Sequence, residues 1–298
     1  MVSVSPNNTI NDSMGCLGSK VGSIICNGLG NRLKRDSVLN WLDSKSDEIF
    51  MLQETHTTQG TEKEWSRSWG GKIYFNHGSS NSTGTGILIK RHATHIKVVN
   101  HVILVPGRVH YLELDIENVS YCLVNVYAPN NDDLPMFEKC FAEVLGRSRN
   151  DFLIMCGDWN TVLDNNLDKQ GGSSVHANNK TQTFLNHMIS NYGICDVFRV
   201  TRGSEKLFTH FNKKCKTATR LDFFLIDDNL INFPICTTNI SHGFMSDHSY
   251  ISIDIQGSRI VPGRGYWKLN NSHLIDQDFI NGVKEIIADT SSKSYDSN

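Results

Sequence analysis

The sequence predicts an α+β sandwich of four layers, α/β/β/α, in which two packed mixed β-sheets are flanked by helices. Three observations carry that reading. Short apolar runs bounded by turn residues recur from 21 to 256. Helices with a single apolar face are inserted among them one at a time, and strict strand–helix alternation is absent. A chain of 298 residues has ample length to close such a core.

Residues 1–20 are polar and rich in Ser, Asn and Gly, a disordered lead-in without the apolar centre of a signal peptide. A buried strand over 21–26 ends at Asn27-Gly28-Leu29-Gly30. A helix over 33–45 then carries Val38, Leu39, Trp41 and Leu42 on one face. A second apolar run, 48–54, ends on Glu54, and the polar stretch 58–68, with Trp65 and Trp69, reads as a short surface helix. From 72 to 127 the pattern is all strand. The glycine-rich stretch 78–86 lacks a Lys-Ser/Thr pair and a following helix, so it is a loop feeding a strand, not a phosphate cradle. Segment 109–117 alternates, with Leu112, Leu114 and Ile116 inward and Glu113, Asp115 and Glu117 solvated; it pairs with 121–127 as a hairpin, and Pro129 ends the second strand. Met136, Phe137, Cys140, Phe141, Val144 and Leu145 form the stripe of an amphipathic helix over 133–147. A strand buried on both faces, 152–157, turns at Gly157 into Asp158, Trp159 and Asn160. A helix near 179–191 and strands at 206–211, 219–227, 235–240 and 250–255 complete the unit.

Charge is near balance, 29 basic against 31 acidic side chains, so an anionic partner must be met by a local basic patch. The eight cysteines form no C-x-x-C pair and mostly lie in apolar runs. That favours a reducing compartment and argues against a disulfide scaffold or a zinc site. No stretch approaches the length of a membrane span, and the chain reads as intracellular with no membrane partner.

Asn27, Glu54, Asp158 and Asp247 each stand where an apolar strand ends or begins, and Asp222 and His248 join them. Singly, each suits a turn former, a structural acid or a core histidine. Together they pose an electrostatic problem, since carboxylates about 4 Å apart repel by roughly 4 kcal/mol at a surface-like dielectric. A cation removes it, and a ligand set of oxygens without Cys or paired His selects Mg²⁺ or Mn²⁺. His92-x-x-His95 has zinc-like spacing but no further ligands nearby. One histidine beside acids and a hard ion suits phosphodiester hydrolysis.

The series Asn27-Gly28-Leu29, Gln53-Glu54-Thr55-His56, Asn125-Val126-Tyr127-Ala128-Pro129-Asn130, Gly157-Asp158-Trp159-Asn160, Arg220-Leu221-Asp222 and Ser246-Asp247-His248 resembles the motifs of the endonuclease/exonuclease/phosphatase superfamily. More narrowly, it is similar to the apurinic-endonuclease-like domain of LINE-type (non-LTR) retrotransposon polyproteins, over 21–256. Gly265-Tyr266-Trp267-Lys268-Leu269-Asn270-Asn271-Ser272 resembles the segment that follows this domain, making 257–298 a linker toward a reverse transcriptase domain. The resemblance implies that Glu54 binds the metal with Asn27 and Asp247 near it. Asp158 would orient or deprotonate water, and Asn160 would hold the scissile phosphate. Tyr127 would donate to a phosphate oxygen or steady the leaving group, and His248, polarised by Asp222, would stabilise the phosphorane or act as base. Which of Asp158 and His248 is the base stays open. Thr209 and Thr219 match positions that touch the DNA backbone, and Lys169 stands where the family often has arginine. Ile25 replaces an asparagine that the family uses to bond the catalytic acid.

Seven basic residues, Arg199, Arg202, Lys206, Lys213, Lys214, Lys216 and Arg220, face one acid, Glu205, in 199–220. Lys213, Lys214 and Lys216 fall at the expected tip of a hairpin, where they would grip backbone phosphates, and the resemblance makes this the target-reading loop. The expected activity is a Mg²⁺-dependent nick in double-stranded DNA leaving a 3′-hydroxyl. The resemblance implies that this hydroxyl primes reverse transcription, in the nucleus, after synthesis in the cytoplasm. The rivals are a repair-type abasic-site endonuclease or a phosphoinositide phosphatase of the same fold, and a non-catalytic DNA-binding module suggested by Ile25.

Overall fold

The computed structural model describes residues 19–117, 119–147, 151–171, 179–232, 236–255, 277, 280–282 and 284–285. Of the expected lead-in only Ser19 and Lys20 lie among them, as the start of a strand, and the Gly265–Ser272 signature lies outside them. Met1–Ser258 and Arg259–Asn298 are separate compact units, and the few described residues of the second are helical.

The first sheet holds β1 (Ser19–Ile25), β2 (Ile49–Gln53), β3 (Lys72–Asn76), β4 (Thr85–Ile89), β14 (Cys236–Ser241) and β15 (Tyr250–Ile255), in the order β14-β15-β1-β2-β4-β3. The second holds β5 (Ile96–Val105), β6 (Val109–Ile116), β7 (Val119–Tyr127), β8 (Phe152–Asp158), β10 (Ile194–Asp196) and β13 (Asp222–Asp227), in the order β10-β13-β8-β7-β6-β5. Each sheet has one parallel pair, β1–β2 and β7–β8, and antiparallel neighbours elsewhere. A small third sheet joins β9 (Lys169–Gln170) to the hairpin of β11 (His210–Asn212) and β12 (Thr217–Thr219).

The layers follow from which apolar side chains face where. Met51, Ile87, Leu112, Leu123, Ile154, Phe224 and Ile251 form the core shared by the two sheets. α1 (Arg32–Asp43) and α2 (Glu62–Trp69) supply Val38, Leu39, Leu42, Trp65 and Trp69 to the outer face of the first sheet. α3 (Leu134–Leu145) and α4 (Lys180–Asn191) supply Phe137, Phe141, Leu185 and Met188 to that of the second. Each such side chain, fully buried, contributes about 1.5–3 kcal/mol. The helices start where a side-chain oxygen caps a free amide: Asn31 for α1, Asp133 for α3 and Asn179 for α4. Among the described residues, no helix is long and apolar enough to cross a membrane.

Three expectations change. Glu113 is buried, because the outer face of β6 is also covered, with Tyr111 and Cys122 beside α3. Trp65 and Trp69 are core residues; Trp65 meets Phe75 edge-on and Trp69 meets Phe50 the same way. The strand expected over 206–211 is only His210–Asn212, and β10 and α5 (Val197–Arg202) precede it.

One polar seam crosses the apolar interior. Asn125 of β7 donates to the carbonyls of Leu52 (3.1 Å) and Gly86 (3.0 Å) in the opposite sheet and accepts from Gln53 (2.8 Å). Gln53 in turn donates to Ser23 (3.0 Å). Amides in a dry interior keep their bonds because breaking one costs the full desolvation of the group. The seam therefore fixes β2 against β7 one residue before Glu54 and two before Tyr127.

Candidate active site

β1, β2, β7 and β8 run parallel within their pairs, so their carboxyl ends deliver Asn27, Glu54, Tyr127 and Asp158 to one rim. Ile25 pairs with Gln53, and the Gly28 amide donates to the Glu54 carbonyl (2.8 Å), placing Asn27 beside Glu54. Asp158 is the register partner of Tyr127 on one side and of Asp222 on the other. Gly157 makes that pairing possible: its φ is 141°, and a Cβ would lie 1.9 Å from the Val126 carbonyl oxygen.

Four contacts join the side chains. The Tyr127 hydroxyl donates to Glu54, and the Asn27 amide donates to Asp247 (2.7 Å). Asn160 donates its backbone and side-chain N–H groups to the two Asp158 oxygens (2.9 and 3.0 Å) and its second amide proton to the Ala128 carbonyl (2.8 Å). His248 Nδ1 meets Asp222 at 2.7 Å. Asn27, Glu54 and Asn160 all have φ near +50°, a conformation that costs about 1–3 kcal/mol and persists where surroundings impose it.

Burial and the neighbouring Asp222 charge push the Asp158 carboxyl well above the ordinary range. Burial opposes protonation of His248, but the charge and hydrogen bond of Asp222, with Asp158 and Asp247 beyond, outweigh it and raise its pKa to about 9. Asp247 is lowered: burial opposes its ionisation, while the Asn27 hydrogen bond and the His248 charge favour it more. Burial and the Glu54 hydrogen bond raise the Tyr127 phenol.

Among the described residues, no three His, Cys, Asp or Glu side chains converge as a metal cage. The donors at this rim are two carboxylates, Glu54 and Asp247, and the Asn27 carbonyl oxygen, left over once the Asn27 amide has bonded Asp247. That set fits a hard ion such as Mg²⁺, which keeps several waters and takes one or two carboxylates.

Several expected roles meet different surroundings. Both amide protons of Asn160 are engaged, so here it holds Asp158 and offers no proton to a phosphate. Tyr127 likewise gives its one proton to Glu54. Ile25 is buried in the core, and Glu54 instead accepts a hydrogen bond from Tyr127 of the other sheet. Lys213, Lys214 and Lys216 are exposed at the hairpin tip; Lys169 and Thr219, register partners between β9 and β12, are half-buried.

Two expected DNA contacts are corrected. Arg220 is 1 % exposed and bonds Asp168 (2.7 and 3.1 Å) and Asp196 (3.3 and 2.5 Å), so its charge is consumed internally. Thr209 is fully buried, its hydroxyl accepting from the Leu221 (3.0 Å) and Asp222 (3.1 Å) amides. Arg199, counted in the basic run, also pairs with Asp168. Sequence reasoning missed Lys34, which clamps the carbonyls of Cys26 and Asn27 (both 2.8 Å), and Arg108, whose guanidinium lies 5.0 Å from the Tyr127 ring centre. Nothing in the spacing of either announced a place at the rim.

Residues 20–248 match the model of the Endonuclease/Exonuclease/phosphatase family. The chain is 28% identical over 272 residues to the Transposon TX1 uncharacterized 149 kDa protein of Xenopus laevis, covering 89% of this chain and 20% of that protein. The chain thus spans about a fifth of that relative's length. Solved structures share the fold. AP endonuclease LMAP from Leishmania major has a TM-score of 0.67 at 15% identity, over 81% of this chain and 88% of its own. An AP endonuclease from Archaeoglobus fulgidus has 0.63 at 16%, over 79% and 98%. A 3′–5′ exonuclease from Neisseria meningitidis has 0.63 at 18%, over 80% and 100%. With the family model running from β1 to His248 and taking in the strand ends that carry the acids, the chain belongs to the endonuclease/exonuclease/phosphatase family of hydrolases.

Proposed function

We propose that the chain is a Mg²⁺-dependent endonuclease that nicks one strand of double-stranded DNA and leaves a 3′-hydroxyl. The observation that carries this is the joined rim, where Glu54–Tyr127, Asp158–Asn160, Asp222–His248 and Asn27–Asp247 meet at the ends of paired strands. Glu54 and Asp247, with the Asn27 oxygen, would hold the ion, and a hard divalent ion bound there would supply Lewis-acid polarisation of the phosphoryl oxygen and charge stabilisation of the leaving group. With His248 protonated below about pH 9, the proton of the attacking water passes to Asp158, held in place by Asn160. His248, fixed by Asp222, then faces the charge that grows on the phosphorane. Water adds to phosphorus, the bond to O3′ breaks, and the O3′ alkoxide takes a proton from solvent water, so that the two ends are a 5′-phosphate and a 3′-hydroxyl.

The similarity to a transposon protein supports a role in copying a mobile element, the 3′-hydroxyl priming a reverse transcriptase domain of the same polyprotein in the nucleus. A second reading, an endonuclease at abasic sites, draws on the named function of the solved neighbours. Nicking of intact supercoiled plasmid with Mg²⁺, compared with the same plasmid depurinated, separates them. Equal rates per available site support the first, and cleavage confined to depurinated DNA supports the second.

The exposed hairpin tip is the proposed grip on phosphates. Replacing Lys213, Lys214 and Lys216 by glutamine is expected to flatten the dependence of log K on log salt by roughly 1–3 in slope, near 0.9 per lost contact. An unchanged slope removes the hairpin from the interface.

A further inference from the structure

The hairpin that carries the lysines is sewn directly to the catalytic loop. The Ser249 amide donates to the Thr209 carbonyl (2.6 Å), and His210 and His248 form an isolated antiparallel bridge. That bridge brings the His210 ring against the His248 ring, 4.7 Å between centroids at a 35° tilt. His210 Nε2 lies 4.0 Å from Asp247, too long for a hydrogen bond and wide enough for a third atom to share the donor. The side chain remains 23% exposed, while Thr209 before it is buried. An imidazole held by backbone at the rim, against His248 and with a nitrogen 4.0 Å from Asp247, is placed to meet something that enters there.

Resting on the phosphodiesterase reading, we propose that His210 is a further catalytic residue, donating an Nε2–H hydrogen bond to a non-bridging oxygen of the scissile phosphodiester. No bond is made or broken by it. It fixes the phosphate against His248 and links the hairpin's hold on DNA to the reacting group.

The test measures kcat and KM for duplex nicking by His210→Ala and His210→Gln, with parent and His248→Ala alongside and thermal unfolding of each. Loss of one hydrogen bond to a charged oxygen is expected to lower kcat/KM for His210→Ala about ten- to a hundredfold with the melting temperature unchanged. Glutamine, which keeps an N–H donor, is expected to recover most of it. On duplexes with either phosphorothioate diastereomer at the nicked position, the His210→Ala penalty should shrink for one diastereomer only. A rate within twofold of the parent, no recovery by glutamine, or an equal penalty on both diastereomers would overturn the assignment. Failure of the endonuclease reading itself looks different: the parent would not nick, or His248→Ala would nick as fast as it.

Discussion

Asp158→Asn is expected to nick supercoiled plasmid about 10²–10⁴-fold more slowly than the parent, the range that a positioned general base supplies. The change keeps the shape of the side chain and the bond from the Asn160 backbone amide, but removes the proposed acceptor of water's proton. The pH profile carries the sharper prediction. A base acts only when deprotonated, so the parent rate should rise with pH as Asp158 ionises. An acid-side stabiliser acts only when protonated, so the rate should fall again near pH 9, where His248 loses its proton. Asp158→Asn should lose the rising limb and His248→Ala the falling one. If Asp158→Asn nicks within tenfold of the parent with both limbs intact, the base is another group.

The largest stability effect is expected at Arg220. Its guanidinium is enclosed by Asp168, Asp196 and the rings of Phe198 and Phe223 (both 5.2 Å), and it anchors the loop between β12 and β13. Arg220→Met removes one partner and leaves two carboxylates buried, which costs about 3–5 kcal/mol, read as a lower denaturant midpoint. Burial opposes ionisation of Asp168, but Arg220 and Arg199 hold its pKa below the ordinary carboxylate value. A carboxyl with a lowered folded pKa stabilises fully above its unfolded value, about 3.9, and that contribution fades as pH falls through the folded one. The parent should therefore lose stability on acidification below about pH 4, and Arg220→Met should lose less there. A midpoint shift that, multiplied by the unfolding slope, amounts to under about 1 kcal/mol would mean that the cluster is not a keystone of the hairpin base.

The same residue shows what a sequence can and cannot disclose. Arg220 sits in a run of seven basic side chains, and charge counting alone sends all of them to DNA. Its partners Asp168 and Asp196 lie 52 and 24 residues away, and no local spacing links them. The strand ends were legible for the opposite reason. An apolar run that stops on Asn27, Glu54 or Asp158 is a local signal, and parallel pairing of β1 with β2 and β7 with β8 carries those ends to the same rim. Alternation misled at Glu113, since period two tells which residues share a face and not whether a helix covers that face. His210 escaped notice because its significance is the bridge to His248, 38 residues on, which only the fold creates.

The proposed chemistry requires a divalent ion held between Glu54, Asp247 and Asn27. The direct measurement is plasmid nicking by protein stripped with EDTA and titrated with Mg²⁺, for the parent and for Glu54→Ala. The stripped parent should be inert and recover with added Mg²⁺, while Glu54→Ala should require far more Mg²⁺ and stay below the parent rate at saturation. Nicking that survives EDTA, or a Glu54→Ala curve that overlays the parent's, would contradict a metal centre at these strand ends.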